Sequence, residues 1–405
     1  MKYKQKIKKI DLIVFLIMTS MHNFFYLVPY QFGAFSFNDV LFCLSVGLFF
    51  VYLLNDSELL KFGHFNNIIL FVPVLIILSS VGAYYNYAQS IISGLLTQRY
   101  WLATILLYFV LGYFVKKCQL TYDSFVKILN TIVIIELILY FLQFVLADKI
   151  LFLQANSNER YGSIRLYCNT NYMVLAALIA LEKALKKEKL LYNTLLTIAV
   201  IAYFLIIHKG RGAFIGLMIA LSIVILLSHV KLRIKILFIA IAIGVGVFVL
   251  LPSDVAQDLV NVLFNGERDG TYEVRLNSQS FYISTWLKNP VSFIVGYGYG
   301  NSTQLNSLAA TGALSGYLYA DNGIYGFISC YGLIGLLWYI AFLIKRFIIW
   351  WQNKKLFSVA VISLLVMHLV QYATNIYYFY TNFSFELVIV MIFIELNCLY
   401  KRERS

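Results

Sequence analysis

The chain has 405 residues, of which 61% are hydrophobic and 13% charged; mean hydropathy is +0.79 and the formal net charge +13. Such a balance excludes a soluble globular domain. The basic residues are scattered along the chain rather than gathered in one patch, which argues against a nucleic-acid-binding protein.

Apolar runs of roughly 17–25 residues recur along the whole length, each enough to cross a ~30 Å hydrocarbon core as a helix. They do not alternate as strands of a membrane barrel would. The sequence therefore predicts an all-α polytopic membrane protein forming one integral domain, residues 1–405. Twelve spans are expected, at about 10–28, 38–54, 68–84, 101–115, 128–146, 168–182, 191–207, 212–228, 236–252, 320–344, 357–377 and 380–399.

The chain opens on "MKYKQKIKK" and closes on "YKRERS", so both termini read as cytoplasmic. No small-residue cleavage site follows the first apolar run, so it reads as a retained span. With this orientation, 23 of the 32 Lys and Arg fall on the inner side. The other nine are Arg99, Lys149, Arg160, Arg165, Lys209, Arg211, Arg268, Arg275 and Lys288. Most of the positive charge is thus a topology signal.

In the fifth predicted span, Glu136 is an acid placed where acids are costly, and it reads as a bundle-facing structural or relay group. Glu395, near the end of the last span, is close enough to the inner interface to need no role. A polar outer segment at about 147–167 follows, and "NERYGSIRLYCNTNYM" carries Arg160 and Arg165. These two are interfacial anchors or substrate contacts.

Next comes "HKGRGAFIG", residues 208–216, which sets Lys209 and Arg211 among glycines where the eighth span begins. Glycines allow a ligand close to the backbone. The helix N-terminus favours an anion, and a guanidinium gives a phosphate two parallel donors. The alternative is a pair of cations reaching out to lipid headgroups.

An outer loop at about 253–319 is long enough to carry function and is expected to hold short helices. One is predicted around Tyr272, Leu276, Tyr282 and Trp286, which would form an apolar stripe. Glu273 and Arg275 lie on the same segment. "GYGYGN", residues 296–301, breaks the chain without the strand–turn–helix context of a phosphate loop. At the tenth span, "YLYADNGIYGF" presents Asp321 and Asn322. These are either a helix N-cap or a carboxylate and amide that orient a sugar hydroxyl, with Asp321 as general base. The five cysteines and five histidines show no metal-ligand spacing, so neither a metal nor another cofactor is expected.

Four segments in order carry a resemblance: "RYGSIRLYCNTNYM", "KGRGAFIGLMIAL", "EVRLNSQSFYISTWLKNPVSFIVGYGYGN" and "ADNGIYGFISCYGLIGLLWYI". Over about residues 160–340 the chain resembles the O-antigen polymerase/ligase superfamily. The resemblance implies a GT-C-like membrane glycosyltransferase of the bacterial cytoplasmic membrane. It would act at the outer face on undecaprenyl-diphosphate-linked oligosaccharide, inverting and without a metal. Arg211 and Arg275 would hold the diphosphate and stabilise its departure, and Asp321 would serve the acceptor hydroxyl. Substrate contacts would come from Lys209, Arg160, Arg165, Glu273, Asn322 and Tyr272, with Glu273 in reserve as the base. Ligases of the superfamily carry a histidine late in the loop. None is present here, which points to a polymerase making O-antigen, capsule or exopolysaccharide. The partners implied are the lipid-linked repeat unit, membrane lipids, and a chain-length regulator and flippase of the same pathway. The other readings are a ligase and a lipid-linked oligosaccharide flippase or transporter.

Overall fold

A computed structural model describes residues 2–29, 31–32, 35–56, 59–61, 63–160, 163–168, 170–233, 270–354, 357–372 and 384–404, with isolated positions between 235 and 244. In chain order it contains α1 (Lys2–Ser20), α2 (Phe37–Asn55), α3 (Asn66–Tyr87), α4 (Ile91–Thr97), α5 (Arg99–Lys116) and α6 (Tyr122–Leu146). Then come α7 (Asn171–Leu185), α8 (Leu190–His208), α9 (Arg211–Leu227), α10 (Gly270–Trp286), α11 (Pro290–Val295) and α12 (Leu305–Ala310). The C-terminal part is α13 (Gly323–Asn353), α14 (Val359–Tyr372) and α15 (Ser384–Arg404).

The predominantly helical class is as expected, with one addition. Two small antiparallel hairpins pair β1 (Gln31–Phe32) with β2 (Phe35–Ser36) and β3 (Asn156–Arg160) with β4 (Ser163–Tyr167). Polar residues next to an apolar bundle satisfy their backbone groups on each other, and "NSNER…SIRLY" does so as a hairpin.

Four of the described helices are long and apolar enough to cross a membrane: α3, α6, α8 and α13. Counting the α4–α5 pair, bent by 52°, as one span makes five. The expected span at 101–115 is the lower arm of that bent pair. The ninth expected span lies almost wholly outside the described residues, as does the stretch joining the last two. α1 ends at Ser20, short of the predicted 28, and Asn23–Tyr26 then turn through four consecutive left-handed residues. Large apolar side chains such as Val145 and Leu191, 75% and 74% exposed, face outward as they do in a protein solvated by lipid.

The bend at Gln98 has a packing cause. A Cβ on Gly94 would lie 2.6 Å from the Ser80 Oγ, so α4 lies tight on α3 only because residue 94 is glycine. The Tyr331 hydroxyl then donates to Gln98 Oε1 at 2.9 Å, holding the bend against α13.

The "GYGYGN" segment runs between the C-terminal end of α3 and the N-terminal part of α13. Gly296 has φ +95°, and a Cβ there would sit 2.3 Å from the Cys330 carbonyl oxygen. The Tyr297 amide donates to the Ser329 carbonyl at 2.6 Å, close to the kink of α13 at Gly332. On the other flank, Gln89 donates to the Tyr299 carbonyl at 3.0 Å and accepts from the Asn301 amide at 2.7 Å. These glycines serve backbone-to-backbone packing. Gly296→Ala combines a disfavoured φ with a clash against backbone and is expected to cost at least about 1–3 kcal/mol. A thermal-unfolding comparison in detergent checks this.

Candidate active site at one end of the bundle

The side chains singled out from the sequence fall into two groups. The first surrounds the start of α9. α8 closes with a π turn, Phe204–His208, a rare form of helix frequent at functional sites. Lys209 then adopts a left-handed conformation at φ 50°, and Gly210 precedes the first turn of α9 with no side-chain cap. The first-turn peptide N–H groups of α9 therefore receive no bond from an N-cap side chain, as in helix starts that bind anions. Arg211 opens the helix, but its side chain lies outside the described residues.

β4 delivers Arg165 to the same place. Its Nε donates to the His208 carbonyl at 2.7 Å, and its guanidinium lies 3.4 Å from where a Gly210 Cβ would be. Arg165 thus holds the turn that presents Lys209 and Arg211, a role the sequence did not suggest. Lys209 Nζ lies 5.8 Å from the Phe144 ring centroid, a cation over an aromatic face. The Arg160 side chain lies outside the described residues.

The second group lies where the long loop returns to the bundle. Asp321 and Asn322 close a 3₁₀ turn, Tyr319–Asn322, directly before α13. Asn322 is 1% exposed and occupies the N-cap position, yet its side chain makes no capping bond. Its Oδ1 accepts from the Ser278 hydroxyl at 2.6 Å and its Nδ2 donates to the Leu318 carbonyl at 2.8 Å. Neither capping nor substrate contact describes it. Buried and fully engaged, it fastens α10 to the start of α13. Asn322→Ala removes both hydrogen bonds, while Ser278 keeps the Arg275 carbonyl and Leu318 keeps the Asp321 amide, and should cost about 1–3 kcal/mol, readable as a fall in thermal stability.

This fastening brings Arg275 within electrostatic reach of Asp321, without an ion pair between them. Ser278 is one turn beyond Arg275, and its hydroxyl also lies 2.9 Å from the Arg275 carbonyl. Burial pushes the Asp321 carboxyl above the usual carboxylate range, while the Arg275 guanidinium pulls it part of the way back. Arg275 itself is exposed and Asp321 half-buried. A cation facing solvent beside a carboxylate of raised basicity can meet an anionic leaving group and a hydroxyl respectively. Burial likewise pushes the Tyr282 hydroxyl upward, with smaller contributions from Cys330 and Asp321, so it stays neutral beside them.

The buried face of α10 differs from the expected stripe. Ser278, Tyr282 and Thr285 are the buried positions, whereas Leu276 and Trp286 are only half-buried. The reason is hydrogen bonding: Ser278 meets Asn322, and Thr285 lies 2.9 Å from the Ser329 Oγ of α13. An apolarity count misses a helix face held by hydroxyls. The side chains of Tyr272 and Glu273 lie outside the described residues.

Deeper in the bundle, Glu136 of α6 is fully buried and its Oε1 lies 2.5 Å from His22 Nδ1. The bundle-facing reading of Glu136 agrees with this placement, and His22 stacks on Tyr172 at 4.0 Å. Arg346, counted in an inner loop from sequence, instead lies within α13 at 1% exposure, 3.1 Å from His368 Nδ1. The chain matches no protein-family model and no curated protein.

Proposed function

We propose that the chain is a membrane glycosyltransferase. It joins undecaprenyl-diphosphate-linked oligosaccharide repeat units into a surface polysaccharide on the outer side of a bacterial cytoplasmic membrane. The observation that carries this reading is a half-buried Asp321 carboxyl of raised basicity, within electrostatic reach of the exposed Arg275, on a seat built by Ser278 and Asn322. In the reaction, the acceptor hydroxyl attacks the anomeric carbon of the donor glycan. The new glycosidic bond forms as the bond to the diphosphate breaks. The hydroxyl proton passes to Asp321, and the diphosphate leaves carrying the electron pair. Arg275, with Lys209 and Arg211 at the α9 turn, supplies positive charge where negative charge develops.

A twelve-span topology with both termini inside is part of the proposal, and the loop contacts support it. Segments assigned to the outer side touch one another: Gln154 donates to Tyr26 at 2.7 Å, Arg99 pairs with Asp39 at 2.6 Å, and Arg165 meets His208. Segments assigned to the inner side do likewise: Lys117 with Asp56 at 2.9 Å, Glu182 with Ser358 at 2.5 Å, and Ser358 with Asn397 at 3.1 Å. Each of these contacts joins two segments of the same assigned face.

One observation favours a second reading. A carboxylate and imidazole buried together inside a membrane bundle, as Glu136 and His22 are, suit a transporter of lipid-linked oligosaccharide. Reconstitution into liposomes with purified lipid-linked repeat unit separates the two. A polymerase lengthens the glycan without nucleotide sugar. A transporter moves the repeat unit between leaflets at unchanged length, and that result with no lengthening would overturn the glycosyltransferase reading.

A further inference from the structure

His64, Glu395 and Cys398 are 331 or more residues apart across the loop-to-helix contact, yet their ligand atoms lie within 4.8 Å of one another. Glu395 and Cys398 are three residues apart on α15, which puts them on one helix face. The chain ahead of α3 brings His64 to that face. His64 Nδ1 lies 2.8 Å from Glu395 Oε2, and the His64 backbone N–H donates to Oε1 at 2.6 Å. The Tyr108 hydroxyl of α5 donates to the same Oε1 at 3.0 Å, so the carboxylate is oriented from behind by a buried group.

The loop is moulded onto this carboxylate. Gly63 has φ +88°, and a Cβ there would fall 2.2 Å from the Tyr108 hydroxyl and 2.7 Å from Glu395 Oε1. Only glycine allows the chain to approach so closely just before His64. The His64 side chain is 41% exposed and that of Glu395 only 4%, so the cluster is closed on the bundle side and open on the other.

We propose that His64, Glu395 and Cys398 bind a divalent transition-metal ion of the zinc type, one imidazole nitrogen, one carboxylate oxygen and one thiolate sulfur. This is a borderline-soft N/O/S set, with solvent filling the open fourth position. Bonds of about 2.0–2.3 Å to a tetrahedral ion place its donors roughly 3.5 Å apart, so the three groups reach that geometry by small side-chain movements. Tyr108 then plays the orienting part that outer hydrogen bonds play around such ions. Binding forms the metal–sulfur bond as the Cys398 thiol loses its proton to solvent, and neutral His64 offers Nδ1 to the ion as the tautomer that carries its ring proton on Nε2. Affinity therefore falls as pH falls. The site lies a helix length of α3, roughly 33 Å, from the Arg275–Asp321 end and is independent of the reaction proposed there. It ties the loop ahead of α3 to the C-terminal helix.

The test uses the purified full-length protein in detergent, titrated with cobalt(II) and followed by absorbance. One equivalent per chain should give a thiolate-to-cobalt charge-transfer band together with the visible bands of tetrahedral cobalt. Cys398→Ser should abolish the charge-transfer band. Tyr108→Phe, which leaves all three ligands in place, should weaken binding roughly 10–100-fold. An absent charge-transfer band in the native protein, or unchanged cobalt binding in both Cys398→Ser and His64→Ala, would reduce the cluster to an ion pair and overturn the proposal.

Discussion

Asp321→Asn is expected to lower polymer synthesis by about 10²–10⁴-fold while leaving the protein folded and slightly more stable at neutral pH. The loss is what removal of a positioned general base costs. The stability gain follows from the direction of its pKa. Burial raises the Asp321 carboxyl above its value in an unfolded chain, with Arg275 offsetting part of the rise. The folded state then holds the proton more tightly than the unfolded state. Its contribution to stability is present in full below the unfolded value and is lost as pH rises through the folded one. An amide has no charge to bury, so the variant loses that pH dependence and keeps the stability at neutral pH.

The same shift shapes the activity profile. Asp321 acts as a base only when ionised, so the rate should rise with pH through the raised value. Arg275→Ala should lower the plateau about 10²–10³-fold, by analogy with loss of one charge-stabilising donor. It should also move the acid limb to higher pH, because the guanidinium no longer favours the carboxylate. Rate against pH in liposomes, for native protein and both variants, measures all three effects. An acid limb that stays put in Arg275→Ala would show that the two side chains do not act as a pair.

The largest expected stability effect belongs to Glu136. Removing one partner of a buried ionic or hydrogen-bonded pair strands the other, at a cost of about 3–5 kcal/mol. Glu136→Ala should therefore be severely destabilised, with His22→Ala comparable. The double variant should lose less than the sum of the two, since the second truncation strands nothing further. Unfolding of the purified protein in mixed detergent, followed by helicity, gives the cycle. Glu136→Gln is the informative partner experiment, because it keeps shape and one acceptor. A stable Glu136→Gln protein that still lengthens glycan assigns the pair to bundle architecture; one that folds but is inactive assigns it to function.

The features legible in the sequence are those set by local chemistry. Apolar run length marks the membrane helices, because in lipid each backbone polar group must be satisfied within its own segment. Thus α3, α6, α8 and α13 fall where the hydropathy places them. Asp321 stands out by its place at the start of an apolar span, whereas Arg275, alone a solvated loop residue, is singled out only by the ordered resemblance. The cost of burying an acid marks Glu136 before its partner is known.

What remained hidden depends on groups distant in sequence. Asn322 reads as a cap because caps are a local rule. Its side chain instead serves Ser278, 44 residues earlier, and only the packing of α10 on α13 decides that. Arg165 reads as an interfacial anchor, and β4 turns it onto the His208 carbonyl 43 residues later. His22 carries no sequence signal of its own, since Glu136 lies 114 residues away. The glycines of "GYGYGN" look like a flexible break, yet at Gly296 the backbone of α13 leaves no room for a side chain. By itself the sequence determined a helical chain suited to a membrane and which charged residues are out of place in it, because solvation acts on each residue separately. Tertiary structure alone decided which of those residues meet, because hydrogen bonds and ion pairs depend on ångström distances that the bundle's packing sets.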